Sequence, residues 1–252
     1  MATLSPCLTS IEMPLRIVSS PSWVTTVLLR SVTEMALVFD AVAVLVDIGS
    51  FFSSWLKRLL KATFMLIILC SPSYAATILV LGDSLSAGYG IDEHQGWVQL
   101  LQQDLSQHTL INGSVSGETT AGALRRLPSL LASSKIDLVL IELGGNDGLR
   151  GFPPAQLKSN LTKIVELAQE NSAKVLLTEI RVPPNYGPRY SKAFNQVYHQ
   201  LAQEHSLTLA PFFMSQIAPD RELMQRDGIH PNAKAQPLIS QWMKPWIETA
   251  LN

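Results

Sequence analysis

Ile78-Leu-Val-Leu-Gly-Asp-Ser-Leu-Ser-Ala-Gly88 carries an apolar, β-branched run into a small-residue turn. That is the pattern of a buried strand ending where a helix begins. Residues 77–81 form the first of five short apolar runs; Thr109–Asn112, 138–143, 174–180 and 207–211 follow, each too short for a core helix. Between and after them, residues 120–132, 154–169, 191–204 and 233–251 space their apolar positions by threes and fours, as Leu157, Leu161, Ile164, Val165 and Ala168 show. Such alternation predicts an α/β fold with right-handed crossovers and a parallel sheet covered on both faces. The chain has no internal repeat and no low-complexity segment.

Ser84 stands at the turn itself. The first N–H groups of a helix have no intrahelical acceptor, so a serine placed there can be a nucleophile beside donors for developing negative charge. It can equally be a plain N-cap. A base that would decide between the two lies far along the chain, in Arg226-Asp-Gly-Ile-His-Pro-Asn232. In a loop, the Asp227/His230 spacing lets the carboxylate fold back onto Nδ1–H and leaves Nε2 to take a hydroxyl proton. An Asx turn with a solvated histidine is the plainer reading of the same four residues.

Asn112-Gly-Ser-Val-Ser-Gly-Glu-Thr-Thr120 and Glu142-Leu-Gly-Gly-Asn-Asp-Gly148 each follow an apolar run, at the strand ends where open α/β sheets bind ligands. The Gly117 N–H and the Asn146 amide can converge there with the Ser84 N–H on one oxyanion. Taken singly, each segment is a turn that needs glycine.

Taken together, Gly82-Asp83-Ser84-Leu85, Gly117, Gly144-Gly-Asn146-Asp147 and Asp227-x-x-His230 resemble, in order, the four blocks of the SGNH, or GDSL, hydrolases. Gly117-Glu-Thr-Thr120, Pro183-Pro-Asn-Tyr-Gly-Pro-Arg-Tyr190, Pro211-Phe-Phe-Met214 and the full Asp227–Asn232 stretch resemble the thioesterase and lysophospholipase branch of that family, over the chain from about Ala76 onward. The resemblance implies a three-layer α/β/α sandwich on a flavodoxin-like five-stranded sheet. It also implies Ser84 as nucleophile, His230 as base, Asp227 as its orienter, and the Ser84 N–H, Gly117 N–H and Asn146 amide as oxyanion hole. The implied reaction is hydrolysis of acyl thioesters and oxygen esters through an acyl-enzyme, without metal or cofactor. Carbohydrate acetyl or aryl ester hydrolysis by the same fold, and a non-catalytic binding module, are the alternatives. Four intact site residues are more than a binding module needs.

The substrate side of the sequence is thinner. Between a strand and a helix, 183–190 holds three prolines, a glycine and two tyrosines, with Pro184, Asn185 and Tyr186 as candidate substrate contacts. It is either a mobile wall for an acyl chain or a rigid surface loop. Other features offer less. His94, His108, His199 and His205 form no cluster with metal-ligand spacing. Gly82, Gly88 and Gly90 lack the Gly-Lys-Ser/Thr of a phosphate loop, and Ser84 lacks the G-x-S-x-G elbow.

Charge divides the chain. Residues 1–75 hold five Lys/Arg and four Asp/Glu, and 76–252 hold fourteen and sixteen. A slightly acidic C-terminal part speaks against a nucleic-acid role, and its length suits one domain with a single core, expected to act as a monomer on a small-molecule substrate. Both cysteines, Cys7 and Cys70, precede Ala76. Trp55-Leu-Lys-Arg-Leu-Leu-Lys61, the apolar stretch 62–70 and Ser71-Pro-Ser-Tyr-Ala75 have the basic, apolar and small-residue parts of a secretory signal, with cleavage expected near Ala75. The apolar part is too short for a stable membrane span, so a periplasmic or secreted product is expected. Residues 1–55 are an uncertain extension, most simply read as a mis-set translation start. The domain plan is thus 1–55 extension, 56–75 signal peptide and 76–252 hydrolase domain.

Overall fold

Strand β1 (Thr77–Gly82) is apolar on both sides because both sides are covered. Ile78 and Val80 point to one face, and Leu79 and Leu81 to the other, as a period of two requires. The computed structural model describes residues 75–252; the expected extension 1–55 and nearly all of the signal segment 56–75 lie outside them. Strand β1 pairs in parallel with β2 (Thr109–Asn112) on one side and β3 (Leu138–Glu142) on the other. The sheet continues through β4 (Lys174–Thr178) to β5 (Thr208–Ala210), all parallel, in the order β2-β1-β3-β4-β5. This is the flavodoxin-like order, whose reversal between β1 and β3 opens a crevice at the carboxyl ends of the strands.

Helices α3 (Thr120–Ser133), α5 (Pro154–Glu170) and α6 (Pro188–Glu204) cover the face that holds Leu79, Leu81, Val139 and Ile141. Their buried residues recur at helical spacing: Leu157, Leu161, Ile164, Val165 and Ala168 on α5, and Phe194, Val197, Tyr198 and Leu201 on α6. Helices α2 (Trp97–Asp104) and α8 (Gln236–Leu251) cover the other face, against Ile78, Val80, Leu138 and Leu140. The three layers expected from the family resemblance are present. Short helices α1 (Ser84–Ala87), α4 (Gly145–Leu149) and α7 (Met214–Ile217) lie at strand ends.

Helix α2 is absent from the sequence-based plan. Its sequence, WVQLLQQD, buries only Trp97, Val98 and Leu101. Gly96 precedes it and supplies no side-chain cap. The Trp97 N–H is received instead by Oε1 of Gln236, 3.0 Å away and 139 residues on. The first turn is thus stabilised by a tertiary contact rather than by its own sequence. Among the described residues no helix is long and apolar enough to cross a membrane.

Candidate active site

Three loops and one distant turn meet above the carboxyl ends of β1, β2 and β3. Ser84 is the first residue of α1, whose N-terminus is capped by Asp83: its Oδ1 accepts the Leu85 N–H at 3.1 Å. From the loop after the 3₁₀ turn Arg221–Leu223, His230 reaches Ser84 across 146 residues of sequence, with Nε2 2.9 Å from Oγ. Its Nδ1 lies 2.7 Å from Asp227 Oδ2, while Asp227 Oδ1 accepts the Ile229 and His230 N–H groups at 2.9 and 3.0 Å.

These contacts orient the imidazole between a carboxylate and a hydroxyl. The His230 side chain first, then the two backbone N–H groups, stabilise the Asp227 carboxylate and lower it to about 2. An ionised carboxylate can only accept, so His230 Nδ1–H donates to Asp227 Oδ2 and Nε2 faces the Ser84 hydroxyl. The Asx turn expected as the plainer alternative is present, and it serves the same carboxylate.

The turn is held in shape by its own backbone. Gln225 N–H donates to His230 O at 2.8 Å and Gly228 N–H to Gln225 O at 3.1 Å, while Asn232 Nδ2 donates to Glu222 O and Met224 O. Gln225 Nε2 also reaches Tyr89 O at 2.6 Å. The Tyr89 ring packs on the imidazole at 4.4 Å between centroids. Neither Gln225 nor Tyr89 carries a sequence signal for this; only folding brings them to His230.

Gly117 sits after β2 at φ +77°, and Asn146 lies in the first turn of α4 after β3. Arg150, which follows α4, donates to Gly117 O at 3.3 Å and so ties the two loops. Asn146 Nδ2 donates to Asp83 Oδ2 at 3.1 Å, which joins the amide to the Ser84 turn. On its other side, buried Asp147 accepts the Thr120 N–H at 2.9 Å and the Thr120 hydroxyl at 2.6 Å, pinning α4 to the start of α3. Gly144 makes the entry to α4 possible. Its φ is +118°, and a Cβ there would collide with the Tyr198 hydroxyl, which donates to Leu143 O at 2.9 Å.

Pro184, Asn185 and Tyr186 form a single 3₁₀ turn at the edge of the site. They reach it indirectly: Tyr186 OH donates to the carbonyl of Leu149, the last residue of α4, at 2.6 Å. Of the remaining histidines, His108 accepts the Ala76 N–H at Nδ1, and His199 lies 3.7 Å from Glu179. Among the described residues no group of three or more His, Cys, Asp or Glu could hold a metal ion.

Residues 80–237 match the GDSL-like Lipase/Acylhydrolase family, a span that holds Ser84, Gly117, Asn146, Asp227 and His230. The chain belongs to that family. Relatives of this GDSL-like hydrolase include "Esterase TesA" of Pseudomonas aeruginosa, 47% identical over 77% of this chain and 98% of the relative. "Thioesterase 1/protease 1/lysophospholipase L1" of Escherichia coli is 43% identical over 75% of this chain and 91% of its own length. Among solved structures, psychrotrophic esterase EstA from Pseudoalteromonas sp., inhibited by monoethylphosphonate, superposes with a TM-score of 0.68 at 51% identity, covering 70% of this chain and 99% of that one.

Proposed function

We propose that this GDSL-like hydrolase cleaves thioesters and oxygen esters of acyl chains through an acyl-enzyme on Ser84. The observation that carries the reading is the continuous hydrogen-bond chain Ser84 Oγ, His230 Nε2, His230 Nδ1, Asp227 Oδ2 at the carboxyl ends of a parallel sheet. Names of the relatives, an esterase and a thioesterase/lysophospholipase, support the same reaction class. Ser84 Oγ attacks the acyl carbonyl carbon as its proton passes to His230 Nε2. The Ser84 and Gly117 N–H groups and the Asn146 amide receive the charge that develops on the carbonyl oxygen. His230 then protonates the departing thiolate or alkoxide as its bond to carbon breaks, and water repeats the sequence to free the acid.

The surroundings favour an acyl chain over a sugar. Tyr89, Val115, Leu149 and Ile229 are large apolar side chains that stay exposed on the loops bearing the site. Tyr89 lies on the His230 ring, Ile229 precedes His230, Val115 shares the Gly117 loop, and Leu149 closes the Asn146 helix. Exposed apolar residues concentrated at one place mark a binding surface. We assign Pro184, Asn185 and Tyr186 to the outer wall of that surface and take the working form to be a monomer. The export reading also has support: the P. aeruginosa relative aligns with 77% of the chain, more than residues 76–252 can supply, so the similarity enters the basic-apolar segment before Ala76. We therefore take the enzyme to be periplasmic or secreted.

The test is a hydrolysis profile against p-nitrophenyl esters, acyl-CoA thioesters of graded length and acetylated sugars. Activity rising with chain length on both esters and thioesters is expected. Activity confined to acetyl sugars would replace the acyl reading with the carbohydrate one.

A further inference from the structure

Two carboxyl groups lie buried behind the nucleophile, and the hydrolytic mechanism uses neither. Asp83 and Glu142 are 2% and 0% exposed. Glu142 ends β3 opposite Gly82 of β1, where its Oε2 accepts the Ser86 hydroxyl at 2.7 Å and lies 3.4 Å from the Asp83 N–H. Room for the pair comes from glycines. A Cβ at Gly82 would meet Glu142 Oε2 at 2.9 Å and Ser86 at 2.8 Å, and one at Gly145 would meet Asp83 Oδ2 at 3.0 Å. Asp83 divides its two oxygens: Oδ1 takes the Leu85 N–H and Oδ2 takes the Asn146 amide.

We propose that Asp83 is a positioning residue that acts through Asn146: its carboxylate, held in a pocket of fixed donors beside Glu142, accepts one amide N–H of Asn146 and thereby turns the other toward the oxyanion. The inference rests on Asn146 being an oxyanion donor. An amide can present either its oxygen or its nitrogen to a neighbour, and only an acceptor-only partner selects the nitrogen. A carboxylate is such a partner; a protonated acid or an amide is not. The charge sits on Asp83 rather than on its neighbour. Burial raises Asp83 to about 6, against the Leu85 N–H, the Asn146 amide and the attraction of His230, with Asp147 adding repulsion. Burial first, and then repulsion from Asp83, hold Glu142 well above the usual carboxylate range. Each oxygen of Asp83 has its own donor, the Leu85 N–H and the Asn146 amide, whereas Glu142 Oε1 is buried without a hydrogen-bond partner among the described residues, so the surroundings favour the charge on Asp83.

Asp83→Asn keeps the shape and removes the acceptor. With its oxygen still on the Leu85 N–H, the introduced amide presents NH₂ to Asn146, which must answer with its own oxygen and withdraw its N–H from the oxyanion. The test compares D83N, Asn146→Ala and the double variant in the purified protein, by kcat, KM and the rate of phosphonylation by a p-nitrophenyl alkylphosphonate, whose phosphoryl oxygen occupies the oxyanion position. N146A should lower kcat and the phosphonylation rate on the order of 10²-fold with KM little changed, and D83N should do the same to within the same order. The double variant should be no slower than N146A, because both changes remove one donor. Full kcat in D83N, or losses that multiply in the double variant, would overturn the inference while leaving the oxyanion role of Asn146 intact. Full kcat in N146A would overturn both. If D83N loses its cooperative thermal transition, Asp83→Ser in the same cycle decides the matter.

Discussion

In the proposed mechanism Ser84 carries the reaction only because His230 and Asp227 are hydrogen-bonded to it in series, and residues that act as one unit fail together. Ser84→Ala and His230→Ala should each lower kcat by on the order of 10³-fold or more without unfolding the protein, and the double variant should be little worse than either. Steady-state kinetics on the three proteins, with thermal melts as control, checks this; multiplicative losses would separate the two residues. Asp83 predicts a stability effect of unusual sign. Its carboxyl is raised to about 6 when folded, from an ordinary value near 3.8, so between those values the folded protein binds the extra proton. Stability from this group is therefore lost as pH rises from about 4 to about 6. Asp227, lowered to about 2, has the opposite sign: its contribution is present above about 4 and lost as pH falls toward 2. D83N should flatten the decline between pH 4 and 6 in thermal melts, and at pH 8 should melt no lower than the parent. An unchanged decline would mean that Asp83 is charged at little cost when folded. Ser84, His230 and Asp227 stood out as candidates in the sequence because their residue types carry chemistry and they stand in turns, but a cap and an Asx turn explained them equally until the family resemblance joined them. Asp83 and Glu142 were not, since their roles come from burial beside each other, which no local pattern encodes. Glu142 left one trace, a lone acid closing the apolar run of β3.

The elements position these residues through a few tight fits. Helix α4 begins only because Gly144 accepts φ +118° under the Tyr198 hydroxyl, so Gly144→Ala should cost about 1–3 kcal/mol in strain and collision. Since Asn146 lies one residue into that helix, the same change should lower kcat more than it raises KM. Chemical denaturation and kinetics together check both parts, and an unchanged kcat in a folded variant would show that Asn146 is placed by something else. The strands were legible as apolar runs, with ends off by one or two residues: 174–180 gave β4 at Lys174–Thr178, because the short partner β5 spans only Thr208–Ala210. The long helices on the α3, α5, α6 face were legible from their spacing. Helix α2 was not, because its cap is Gln236, supplied by tertiary structure.

At the scale of the whole molecule, the strand order places every site loop at one edge. Reversal of the strand order between β1 and β3 leaves the ends of the parallel strands β1, β2 and β3 side by side, and the α8 layer brings the Asp227–His230 turn over them. The parallel sheet and its two covered faces followed from the alternation of short apolar runs with amphipathic ones. The convergence of four distant segments on Ser84 was legible only through the family resemblance, since spacing within a segment says nothing about distance between segments. A chain expressed from near Leu56 should be exported and begin at Ala76, and Ala75→Arg should block its processing; N-terminal sequencing reads both, and a mature chain keeping residues before Leu56 would refute the assignment. The central claim, that Ser84 is the nucleophile activated by His230, is tested most directly by mass spectrometry of the protein after reaction with a p-nitrophenyl alkylphosphonate. One adduct per chain, on Ser84, formed in step with loss of activity and lost in His230→Ala over the same time, is the predicted result; an adduct on Ser86 or Ser116, or full activity after labelling of Ser84, would contradict it.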